Sequence, residues 1–369
     1  MRDDTFRRET LTEGARAFKA GKLDRRAFLT LCAATGFVTA ATISGDAEAA
    51  ADHIVMWNWG GQSEECHGDA IGKPFEAETG MPLRFDTSGP LQGKIKEMVD
   101  SGNVTADVCD ADLFDAVALG PTGHLEPIDY SVVDKDKTLP QYAIQHGVSI
   151  ILYGYAFVYD TEAFPDNPPN SWADFFDTEK YPGKRSLYKW ANGSLEGALM
   201  ADGVAKDALY PLDMDRALAK VKSIKDDSLY WGSGSEAHSM VVNGEVVMGM
   251  VWQNRGKNIE ADTDGRFKLV MNEALAMPGA YIVPKGNPAG REAIMKFIAT
   301  AQDPDAQLKL LDCLGMTPSN PAAFAKIPEN QKAYAITSEQ NIDKVAFNDP
   351  VWWGENSGDA VNAFLDAIS

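Results

Sequence analysis

Between residues 53 and 160 short apolar runs alternate with helical periods, and that alternation leaves few architectures open. HIVMWNW reads as a strand, and 63–78 as one helix with carboxylates in its first turn. MPLRFDT is the next strand, 92–100 a helix, ADVCDA a strand and 113–119 a short helix. Strands alternating with helices at this spacing imply a mostly parallel sheet covered on both faces. A longer β-rich run, VSIILYGYAFVYDTEAF, occupies 148–164. The break DNPPNSWADFF follows, with Ser171 as N-cap and Asp174 in the capping-box position. A second α/β series then runs through KRSLYKW, SLYWGS, VVMGMVW and FKLVMN, with helices over 195–202, 213–225 and 236–242. AYIVPKG at 280–286 is a further strand, and helices follow over 289–301 and 304–313. The tail containing NDPVWWGEN reads as irregular before a last helix.

Two α/β blocks with β-rich crossings near 150–160 and 278–284 predict two lobes joined by two strands. A chain of 369 residues also exceeds the size at which one core stops growing. The expected first lobe is 52–153 plus 283–320; the second is 154–282 plus 321–369, including the C-terminal segment. A ligand would lie between the lobes, outside the carboxyl ends of strands.

Residues 1–49 differ in character. Arg25 and Arg26 precede Phe28 and Leu29, a mildly apolar run reaches Ile43, and Ala47-Glu48-Ala49 ends the segment. A basic part, an apolar part and an A-x-A end make an export signal, and D-R-R-A-F-L-T resembles the twin-arginine (Tat) type. The run is too short and too diluted by Thr and Gly for a spanning helix, which needs roughly 20 strongly apolar residues. Leu31 before Cys32 is too large for lipidation. Cleavage near Ala49 and a soluble periplasmic product are expected, with the Tat machinery as partner of the precursor. Cys66, Cys109 and Cys313 remain; one bridge among them is open, and the spacing does not select it. The net charge of −20 excludes nucleic acid and anionic membrane as partners.

Enzyme signatures are missing: there is no G-x-S-x-G, no H-E-x-x-H, no P-loop and no G-x-G-x-x-G leading into a helix. The histidines at 53, 67, 124, 146 and 238 are scattered singly, and Glu65-Cys66-His67 would spread around a helix axis rather than converge. Cys109 precedes a helix whose N-terminus would lower its pKa, yet cysteine is also among the most buried residue types. No catalysis, metal or cofactor is expected.

Aromatic residues carry the stronger pattern. Trp59, Trp190, Trp231 and Trp252 each fall at or just past a strand end, in WNWGG, LYKWANG, LYWGSGS and MVWQNR. Those ends share a rim in an α/β lobe, where tryptophan can sandwich an alkyl chain or hold an ammonium group. Alternatively the rings only cap strand ends. Gly60 and Gly61 would let a ligand approach the backbone after Trp59. Polar partners are Asp110 and Asp112 after the third strand, Ser233, Ser235, Asn254 and Arg255. Arg255 opens a helix, where its charge opposes the dipole, so it either meets a carboxylate or phosphate partner or is simply an exposed arginine of a first turn.

WNWGG, ADVCDAD, SWADFFDTEKYPGK, KWANGSLEGAL, GEVVMGMVWQN and YIVPKG, in that order, resemble the extracellular solute-binding proteins of ABC importers, nearest the spermidine/putrescine branch. The resemblance runs from about residue 52 to TPSN at 317–320. It implies a type II periplasmic binding fold with two α/β lobes and a two-strand hinge, monomeric, non-catalytic, and partnered by a permease and its ATPase. In that family the position of Trp59 is an aromatic at the cleft, and that of Trp252 stacks on the ligand's alkyl chain. The family's amine-gripping carboxylates are missing here, where Trp190-Ala191-Asn192 and Met277-Pro278-Gly279-Ala280 stand. Arg255 occupies the place where similar proteins bind amino acids such as γ-aminobutyrate. The implied ligand is a small amine-bearing solute with a carboxylate, its amine on Asp110 or Asp112, with long polyamines second. The rivals are a thiaminase-like transferase using Cys109 on the same fold and a subunit presenting ligand to a signalling receptor.

Overall fold

The computed structural model describes residues 51–369; the twin-arginine segment and its expected cleavage point lie outside the described residues. The first block runs β1 (Ile54–Trp57), α1 (Gln62–His67), a π-helical turn (Gly68–Gly72), α2 (Lys73–Thr79), β2 (Leu83–Asp86), α3 (Gln92–Asp100), β3 (Val108–Asp112) and α4 (Leu113–Leu119). A short β4 (Ala143–Ile144) leads into the long β5 (Gly147–Asp160). The second block is α5 (Trp172–Phe176), β6 (Arg185–Tyr188), α6 (Ser194–Ala201), α7 (Met214–Lys222), β7 (Ser228–Trp231), α8 (Gly234–Val242), β8 (Met248–Trp252) and α9 (Gln253–Asp262). The long β9 (Phe267–Ile282) returns the chain to the first block. After it come α10 (Gly290–Ala301), α11 (Pro304–Leu314), β10 (Thr317–Pro318), α12 (Pro321–Phe324), β11 (Ala346–Phe347) and α13 (Pro350–Ile368).

The strands join in the order β2-β1-β3-β9-β5-β8-β6-β7. Within each outer trio, β2-β1-β3 and β8-β6-β7, neighbours run parallel, as alternation with helices requires. The antiparallel pair β5 and β9 runs between the trios, paired from Val148↔Tyr281 to Asp160↔Phe267. These are the two crossings expected from the sequence, and the mixed α/β fold with a two-strand connection is the one anticipated. Apolar residues pack as one cluster around Trp172, Phe157 and Trp231 on the second block. Two more cover opposite faces of the first block, one with Phe75 and Phe297 and one with Ile95 and Leu119.

The helix expected over 63–78 forms over 62–79 with a π turn inside it, where Gly72 lies so close to Leu83 that a Cβ would stand 3.1 Å from that side chain. Three other local readings are corrected. FKLVMN and AYIVPKG are not two strands but parts of β9; Glu273 sits between them at φ 60, its carboxylate and carbonyl accepting from the backbone and indole N–H groups of Trp172. NDPVWW is not irregular. Asp349 caps α13 by accepting from Val351 and Trp352, and Pro350 at the first turn needs no N–H partner. Asp110 and Asp112 lie within β3 rather than after it, because the ladder to β9 reaches Asp112↔Gly279.

Helix α13 touches both blocks. Trp353 donates its indole N–H to Glu196 (2.7 Å), while a Cβ on Gly354 would meet Val117 of α4 at 2.5 Å. Cys66 of α1 is bridged to Cys313 of α11, leaving Cys109 free and buried.

Candidate functional site

The loop after β1 is set by its own side chains. Trp57 is core and donates to Ser88 (2.9 Å), whereas Trp59 is 56% exposed. The Trp59 indole N–H donates to the Asp110 carbonyl (2.9 Å), and its ring lies against Gly89. One edge is therefore anchored while a face stays open. Gly60 and Gly61 follow at φ 72 and 62, a conformation that favours glycine, and the Asn58 carboxamide accepts from the Gly60 N–H (2.9 Å).

Asp110 and Asp112 project from one face of β3. The Asp112 carboxylate accepts from the Tyr153 hydroxyl (2.9 Å), and its backbone N–H donates to Asp115 (3.1 Å), which also accepts from Gln92 (2.7 Å). Burial pushes the Asp112 carboxyl up, and the charge of Asp115 adds to the shift. Asp115 is raised less, because the Gln92 bond opposes its burial. Burial also raises Asp110, which a positive charge on His67 would oppose. Two neighbouring acids in a dry site cannot both ionise cheaply, so the Asp112–Asp115 pair retains a proton into the neutral range.

Beside these acids stands a wall of rings. Tyr155 lies 5.9 Å from Tyr153 and stacks on Tyr188 at 5.6 Å. Trp231 sits 4.5 Å from Tyr188 and 5.4 Å from Trp252. It is fully buried, so it backs the wall while the half-buried Trp252 and Tyr188 face forward. Trp190, 42% exposed, stands apart and carries the Lys189 ammonium 5.4 Å from its ring centre. Tyr153, Tyr155, Tyr188 and Asp115 are additions that the sequence reading missed.

A cavity of about 410 Å3 is lined by Gly60, Gly61, Ser63, Asn254 and Arg255, with the 312–315 corner closing it. Gln253 accepts from Gly154 (2.7 Å) and donates to Gly315 (2.9 Å); Asn254 donates to Leu314 (3.0 Å). These bonds hold the start of α9 against the end of α11. A side chain on Gly234 would strike Trp252 at 2.7 Å and the Arg255 Nε at 3.1 Å, so Trp252 and Arg255 share the space beside α8. Ser233 is exposed and caps α8 by accepting from Glu236. Among the described residues no carboxylate pairs with Arg255, whereas Arg216, Arg266 and Arg291 are all paired. A larger groove of about 600 Å3 opens between Asp69, Lys73 and Lys309 and shares Asp312 and Cys313 with that cavity; the rings line neither of them directly.

The sequence matches the model of a family described as bacterial extracellular solute-binding proteins over residues 70–337. The chain belongs to that family. This solute-binding protein is 27% identical to the γ-aminobutyric acid-binding protein of Pseudomonas aeruginosa, over 86% of its own length and 91% of that protein's. A solved ABC transporter substrate-binding protein from Bradyrhizobium japonicum is similar at 31% identity and TM-score 0.80, with 86% of this chain and 99% of that one covered. A structure described as a GABA receptor gives 31% and 0.79, covering 86% and 98%. The chain is thus the solute-binding component of an ABC importer, and its relatives are binding proteins rather than enzymes. The transferase reading gains no support: Cys109 is fully buried, and burial with the nearby carboxylates pushes its thiol well above its ordinary range.

Proposed function

We propose that this solute-binding protein captures a small amino acid carrying a terminal amine, of the size and charge of γ-aminobutyrate, and delivers it to a permease and its ATPase. The observation that carries the reading is Arg255, which pairs with no carboxylate among the described residues and lines, with Gly60, Gly61, Lys257 and Asp312, one cavity. Arg255 takes the carboxylate. Asp112, with the Tyr153 hydroxyl on it, takes the ammonium group, and the methylenes lie against Trp59 and Trp252. Gly60 offers close backbone approach, Ser233 a hydroxyl and Trp190 a ring at the rim, while Trp231 stiffens Trp252 from behind. Asp110 supports Trp59 through its carbonyl. The names of the relatives that bind γ-aminobutyrate favour this class over polyamines.

The lobes are 52–153 plus 283–320 and 154–282 plus 321–369, hinged on β5 and β9. Closure is driven by contacts that one ligand makes with both. The protein works as a monomer in the periplasm after twin-arginine export. Natively purified protein, denatured and examined by mass spectrometry, is expected to release an amino acid with a terminal amine. Release of only a diamine without an acid group would sink the reading.

A further inference from the structure

Under the Trp59–Gly61 loop four buried polar groups lie together that the ligand reading does not use. Trp57 pairs with Cys109 in the parallel ladder, so Asn58 stands level with Asp110, and Asp110 is the register partner of Tyr281 on β9. His67 of α1 covers them, its Nε2 4.0 Å from the Asp110 carboxylate and its ring 6.2 Å from that of Tyr281. All four are more than nine-tenths buried, and Asn58 Nδ2, His67 Nε2 and Tyr281 Oη have no hydrogen-bond partner among the described residues.

Their neighbours fix what each can offer. The Asn58 carbonyl oxygen already accepts from Gly60, which leaves its NH2 as donor. His67 Nδ1 lies 2.8 Å from the Ser63 carbonyl, which can only accept; Nδ1 therefore carries the proton and Nε2 is an acceptor. Tyr281 supplies a hydroxyl donor and Asp110 a carboxylate acceptor. His67 Nε2 and Asp110, at 4.0 Å, are too far apart for a direct bond, and two donors with two acceptors match the hydrogen-bonding capacity of one water. A cation or an ammonium group would meet the Asn58 N–H atoms head on.

We propose that Asn58, His67, Asp110 and Tyr281 hold one buried water that pins the loop presenting Trp59 and Gly60 to the ligand. Asn58 holds the Gly60 N–H and Asp110 holds the Trp59 indole, so ordering these two residues orders the loop. His67 and Tyr281 are positioning residues, and Asp112 rather than Asp110 is left for the amine. The role of the loop rests on the ligand reading above; the water itself does not.

A crystal structure of the ligand-free protein tests the site. The expected result is an ordered water within about 3 Å of all four atoms. A direct His67–Asp110 bond with no water, or a solute amine at that point, overturns the proposal. Calorimetry with γ-aminobutyrate, and with whatever solute the native protein releases, tests the pin. Tyr281→Phe and His67→Leu are expected to weaken Kd roughly threefold to tenfold, and His67→Gln, which keeps an acceptor, to restore most of it. Unchanged Kd in both variants, with the water lost and the loop unmoved in their crystal structures, overturns the pinning. A released solute without an amine would instead defeat the ligand reading and leave the water site standing.

Discussion

Arg255 and Asp112 divide the work at the scale of single residues, and they fail differently. A charge-assisted bond to a carboxylate contributes about 1.5–3 kcal/mol, so Arg255→Ala is expected to weaken binding of γ-aminobutyrate by roughly tenfold to 150-fold. Its melting temperature should hardly move, because no carboxylate of the described residues depends on it. Calorimetry with both variant and wild type checks this; unchanged affinity would remove Arg255 from the site. Asp112 adds a pH signature. Its folded-state pKa is raised, so the folded protein binds more protons than the unfolded chain from about pH 4 upward into the neutral range. The sign follows: stability from this pair is greatest at low pH and declines as pH rises through that window. An ammonium group beside Asp112 favours the ionised form, so ligand binding is expected to release a proton and to tighten as pH rises. Calorimetry in buffers of different ionisation enthalpy should show this release in the wild type and its loss in Asp112→Asn.

At the scale of elements, α13 offers the cleanest stability test. Asp349→Ala removes the acceptor for two N–H groups at the helix start and is expected to cost about 1 kcal/mol, read as a lowered melting temperature with ligand affinity unchanged. This helix was also where the sequence misled, since NDPVWWGEN reads as irregular until Asp349 is seen to cap a helix that starts at Pro350. Strand ends were legible. Trp231 and Trp252 close β7 and β8, and Trp59 and Trp190 lie two residues past β1 and β6, because aromatic runs stop there at Gly, Ala or Gln. Which ring faces the ligand was not legible. β5 is buried on both faces, so its alternation cannot show that Tyr153 and Tyr155 sit on the polar side. The burial of Trp231 behind Tyr188 depends on three strands meeting side by side, and no spacing along the chain records that.

For the whole molecule, three ties hold the 312–315 corner in place: the Gln253 and Asn254 bonds from α9, the Gln62 bond to the Cys313 carbonyl, and the Cys66–Cys313 bridge. The bridge joins residues 247 apart, too distant for cysteine spacing to reveal, yet it lies directly beside the cavity that Arg255 lines. Closing so long a loop lowers the entropy of the unfolded chain, an effect of up to about 5 kcal/mol in the chain-entropy account. Replacing both cysteines by alanine is therefore expected to lower the melting temperature markedly, and reductant should lower that of the wild type alike. The three hydrogen bonds still connect α1, α9 and α11 in the native state, so ligand affinity well below the transition should fall much less than stability does. Cys109→Ala serves as the control, changing neither the response to reductant nor affinity, since its thiol lies in the core. A loss of affinity in the double variant as large as that of Arg255→Ala would mean that the bridge, and not the hydrogen bonds, sets the geometry of the cavity.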